Sequence, residues 1–106
     1  MNAYYDPEKF GLEIVTEFER SEPSYSFDTG LVLWHKDKEA FLFAQDAGCS
    51  CPSPFEDLDP SLLEPLNKWQ VIEEMVAFAK DSFYPEYAED KVLNAIESVL
   101  RWKRES

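Results

Sequence analysis

The chain has 106 residues, enough for one domain with a modest core, and its 44% hydrophobic and 15% aromatic content argues against disorder. It carries 22 acidic residues against 10 basic ones, a net charge of −12, which disfavours direct binding to nucleic acid or to anionic membranes. No stretch approaches the roughly 20 apolar residues of a membrane helix, and the opening residues have neither the basic nor the apolar region of a signal peptide.

From Leu12 the chain alternates: Leu12, Ile14, Thr16 and Phe18 on one face, Glu13, Val15, Glu17 and Glu19 on the other. A period of two predicts a half-buried strand over about 12–20. Ser21-Glu22-Pro23-Ser24 forms a turn, and a second strand runs over about 25–35, with Gly30 the expected site of a bulge. Lys36-Asp37-Lys38-Glu39 is a polar turn before a third strand over about 40–46, with Phe41 and Phe43 on one side. Three strands with short turns make an antiparallel meander.

Between Asp46 and Pro65 four prolines rule out regular structure, and a loop of that length in a small domain is often functional. Asn67 then caps a helix over about 67–83, whose apolar stripe is Trp69, Ile72, Met75, Val76, Ala79 and Phe83. Pro85 interrupts it. A second helix over about 87–104 carries Val92, Leu93, Ile96, Val99 and Leu100, with Glu86, Glu89 and Asp90 at its start and Arg101, Lys103 and Arg104 at its end, as the helix dipole favours. The expected fold is a single α+β domain over 1–106, a three-stranded antiparallel sheet with two C-terminal helices packed on one face. Trp34, Phe41 or Phe43, Trp69, Ile72, Val76, Ile96 and Leu100 form the expected core.

Cys49 and Cys51 are the only cysteines, and His35 is the only histidine. Zinc takes four thiolate, imidazole or carboxylate ligands, so these three residues with Asp46, Asp57 or a ligand from a second subunit compose one conceivable metal site. Against it stands a plain structural loop with one buried thiol. A Cys49–Cys51 disulfide would close a small, strained ring, so free thiols or metal ligands in a reducing cytosol are expected instead. A nucleophilic cysteine with His35 as base is weaker still, because Asp46, Glu56 and Asp57 would raise the thiol pKa. The acidic groups Glu56-Asp57-Leu58-Asp59 and Glu73-Glu74 read as solvated surface, for 22 acids make chance pairs inevitable. Aromatics at element edges, Tyr4, Tyr5, Phe10, Tyr84 and Tyr87, suit a protein contact.

The segments Tyr4-Tyr5-Asp6-Pro7-Glu8-Lys9-Phe10-Gly11-Leu12-Glu13, Tyr25-Ser26-Phe27-Asp28-Thr29 and Gly48-Cys49-Ser50-Cys51-Pro52-Ser53-Pro54-Phe55-Glu56-Asp57 resemble a family of small uncharacterised proteins from bacteriophages of actinobacteria. The resemblance implies a phage-encoded accessory protein made in the host cell, and no activity or cofactor. Together these readings lead to a small acidic cytosolic protein that binds a host or phage macromolecule, with a basic protein as partner. Its contact surface is expected at Tyr4, Tyr5, Pro52, Pro54, Phe55, Glu56 and Asp57. The competing readings are a metal- or thiol-dependent enzyme centred on Cys49, Cys51 and His35, and an immunity-type or DNA-mimic inhibitor.

Overall fold

A computed structural model of the chain describes residues 6–19, 26–49, 60–81 and 85–102. A short 3-10 turn, Pro7–Phe10, ends on Gly11, whose φ of 71° places it in the left-handed region that glycine adopts without strain. Three strands follow: β1 (Leu12–Glu19), β2 (Ser26–His35) and β3 (Ala40–Cys49). They form one antiparallel sheet in the order β1-β2-β3. A second 3-10 turn, Pro60–Leu62, precedes helices α1 (Lys68–Lys80) and α2 (Pro85–Leu100). The expected α+β meander with two C-terminal helices is the architecture observed.

The local signals explain the boundaries. Residues 36–39 form the β2–β3 turn, and Glu39 takes a positive φ of 50° there. Asn67 begins α1 with a reciprocal cap: its Oδ1 accepts from the Gln70 amide at 2.9 Å, while Gln70 Oε1 accepts from the Asn67 amide at 2.9 Å. Two orphan amides of the first turn are thereby satisfied. Pro85 is the first residue of α2, where its missing N–H costs nothing. That helix ends at Leu100, earlier than the charge pattern predicted, and Arg101 and Trp102 close it with turn hydrogen bonds to Glu97 and Val99. α1 also stops early, at Lys80.

Two details of the sheet differ from the alternation in the sequence. The β1–β2 register shifts between Ile14 and Thr16, leaving Val15 as the extra residue of a bulge. One inserted residue flips everything after it to the opposite face. Leu12 therefore belongs to one face of the sheet and Phe18 to the other, although simple alternation puts them together. Gly30, expected to be the bulge, is paired regularly with Phe18 and Gln45. Its role is to leave space, for a Cβ there would lie 3.0 Å from Phe18 and 3.1 Å from Phe78.

Both faces of the sheet are buried. On the helix face, Phe18, Val32, Trp34, Phe41 and Phe43 pack with Val71, Met75, Phe78 and Ala79 of α1 and Ala88, Val92, Ala95 and Val99 of α2. The Phe78 ring meets Phe18 and Phe43 edge-on at centroid distances of 5.6 and 5.7 Å, and Trp34 meets Phe41 at 5.0 Å. On the opposite face Leu12, Leu31, Leu33, Leu42 and Ala44 form a second cluster, with Leu63 packed against it. After β3 the chain returns to pair Leu66 with Phe41 through two 2.8 Å backbone hydrogen bonds, covering part of that edge.

Candidate interaction surface

The two helices carry more apolar surface than the sheet consumes. In α1 the buried residues are Val71, Met75, Phe78 and Ala79; in α2 they are Ala88, Val92, Ala95 and Val99. Spacings of three and four keep each set on one face. The residues expected in the core from their size lie one step around each helix. Trp69 is 67% exposed, Leu93 56% and Leu100 46%, while Ile72, Val76 and Ile96 are half-buried. The expected burial of Trp69, Leu93 and Leu100 is therefore overturned. Met75, Ala79, Val92 and Val99 of the expected stripes are buried, and the core face extends from them toward Val71, Phe78, Ala88 and Ala95 rather than toward Trp69, Leu93 and Leu100.

Between the helices this surplus forms a groove. Val76, Ala79 and Lys80 of α1 face Glu89, Val92, Leu93 and Ile96 of α2 around a concavity of about 320 Å³. The floor is Ala79 and Val92, both buried. The arrangement can bury apolar groups against its walls and meet charge at Lys80 and Glu89. The i,i+4 ion pair of Arg101 with Glu97, at 2.9 Å, lies on the exposed end of α2. Lys68 sits 5.9 Å from the centre of the Trp69 ring, a cation–π contact that leaves most of the indole open to solvent.

A second, more polar cleft of similar size lies between β1 and α2, lined by Thr16, Phe18 and Glu19 with Lys91, Asn94 and Ser98. Of its two carboxylates, Glu17 and Glu19, the second is engaged by β2. The buried Thr29 hydroxyl donates to Glu19 Oε2 at 2.5 Å, and the Asp28 amide donates to Glu19 Oε1 at 3.1 Å. Glu19 thus ties β1 to β2 as a structural acceptor.

The structure places two of the expected metal ligands, His35 and Cys49, far apart. The β2–β3 ladder pairs His35 with Ala40 and Cys49 with Ser26, at opposite ends of ten-residue β2. Nine residue steps at about 3.3 Å each separate those ends by roughly 30 Å. His35 has local work instead: its Nδ1 accepts from the Lys38 amide at 3.2 Å, closing the β2–β3 turn. Among the described residues, no group of three or more His, Cys, Asp or Glu side chains converges as metal ligands do. Cys51 and the nominated contact residues Tyr4, Tyr5, Pro52, Pro54, Phe55, Glu56 and Asp57 lie outside the described residues, as does Tyr84. Of the edge aromatics, Phe10 is exposed at 44%. The inter-helix groove escaped sequence reasoning because its walls were assigned to the core. A usable signal was present, since Val71, Met75 and Phe78 recur at four and three, as do Ala88, Val92, Ala95 and Val99.

The fold and the groove define a small α+β domain with an apolar helix-pair surface. The chain belongs to the family described as a domain of unknown function (DUF7574), whose model matches residues 1–105. No curated protein and no solved structure matches it. Among the described residues, no helix is long and apolar enough to cross a membrane.

Proposed function

We propose that this chain is an accessory protein that acts by binding a macromolecule, with the α1–α2 surface as its contact. The observation that carries the reading is an inter-helix groove with apolar walls, on which Leu93 is exposed, together with exposed Trp69 and Leu100 on the same two helices. Contiguous apolar surface on a small acidic domain is a feature of binding proteins. Trp is also enriched among the residues that dominate interface energetics. The likeness of residues 4–58 to small proteins of actinobacterial phages supports a phage-encoded protein working in the host cytosol. The net charge of −12 supports a basic protein as partner, with the surplus carboxylates steering encounter.

The test is affinity capture from an actinobacterial lysate with the wild-type chain and a Trp69→Ser/Leu93→Ser double variant, read by mass spectrometry. A protein retained stoichiometrically by wild type and lost with the double variant is the expected result. Equal retention by both chains would show that the contact lies elsewhere. Absence of any stoichiometric partner would contradict the binding reading itself.

A further inference from the structure

The occupant of the groove can be specified further from the charges around it. Glu73 stands four residues after Trp69 and three before Val76, so it edges the α1 side of the apolar stripe. On α2, Glu86, Glu89 and Asp90 stand seven, four and three residues before Leu93, edging the other side. All four carboxylates are exposed. Lys80 is the cation that lines the groove itself. The α1 side carries Glu73 and Lys80 while the α2 side carries three acids, so the trough is acidic overall and along α2 above all. It is complementary to one kind of surface: an amphipathic helix whose apolar face fills the trough and whose flank toward α2 carries lysine or arginine.

We propose that the α1–α2 groove seats a basic amphipathic helix of a partner protein, an inference that rests on the binding function proposed above. The same charges argue against the other occupants. A second copy of the chain would bring an identical acidic rim against this one, and each copy carries −12 overall. Nucleic acid and anionic lipid would set phosphates against the carboxylates. Exposed apolar side chains provide the contact area, and the rim selects the sign of the partner's charge.

The probe is a synthetic helix of about 18 residues with leucines at i, i+3, i+4 and i+7 spacing and lysines elsewhere. Its twin carries glutamate in place of lysine. Fluorescence anisotropy with the full chain is expected to give saturable binding of the basic helix that weakens as salt rises, and far weaker binding of the acidic twin. Leu93→Ser should lower the affinity about tenfold or more. Glu89→Lys/Asp90→Lys should weaken it and flatten its salt dependence. Trp69→Ser repeats the test from α1, and circular dichroism verifies that each variant is folded. The proposal is overturned if the two helices bind alike or not at all, or if the variants leave the affinity unchanged. It is equally overturned if sedimentation finds a dimer of the chain that Leu93→Ser dissolves, because the occupant is then a second copy. A stoichiometric partner captured from lysate together with failure of the basic helix would retain the binding function and remove only this assignment.

Discussion

In β2 four consecutive residues, Leu31, Val32, Leu33 and Trp34, are all buried, because both faces of the sheet are covered. In the helix pair, neighbours in sequence part company: Val92 is buried and Leu93 exposed, Val99 buried and Leu100 exposed. A strand inside two layers has no solvent side, so every apolar residue on it is consumed by packing. A helix laid on a sheet has only one stripe in contact, and apolar residues beyond that stripe are surplus to the core. Scattered surface leucines are ordinary. Here the surplus lies on both helices, and Val76, Leu93 and Ile96 of it line one groove, which is the basis of the proposed contact.

The contrast is broken most severely at the point where the two regions meet. Phe78 sits among Phe18 and Phe43 beneath the helices, and Phe78→Ala should cost about 3–5 kcal/mol in urea denaturation. A loss near zero would mean that α1 does not pack through this stripe. Gly30 is next. Its missing side chain admits the Phe18 and Phe78 rings, so Gly30→Val should destabilise by about 1–3 kcal/mol through overpacking, measured by the same titration. The Asn67 cap sharpens the comparison from the helix side, for it belongs to neither layer. Asn67→Ala should cost about 1 kcal/mol and leave affinity for a basic helix unchanged.

Much of the fold is legible in the sequence. Strand alternation, the polar turn at 36–39, the Asn67 cap and the proline at the start of α2 are local signals, and each acts through its own residues. Three features are not local. The bulge at Val15 is one inserted residue inside a stretch that still alternates, and only the partner register reveals it. Packing on the second sheet face involves a residue outside the strands, Leu63, which strand alternation does not announce. Helix phase is the third. Trp69, Val71, Ile72, Met75, Val76, Phe78 and Ala79 wrap more than half of α1, so spacing alone admits two phases. Choosing the phase of the bulky tryptophan hides the exposed stripe, and with it the candidate surface. The separation of Cys49 from His35 is hidden for a related reason: both lie in strands whose long pairing carries them to opposite ends of the sheet.

The central claim is that the apolar residues of the helix pair divide into a core stripe and a contact stripe, and two adjacent positions test it most directly. Val92→Ser and Leu93→Ser each place a hydroxyl on α2, the first at a side chain 5% exposed and the second at one 56% exposed. Paired urea titrations should find Val92→Ser destabilised by about 2 kcal/mol or more. Leu93→Ser should stay within about 0.5 kcal/mol of wild type. Equal losses at both positions, or a larger loss at Leu93, would contradict the division and return Leu93 to the core.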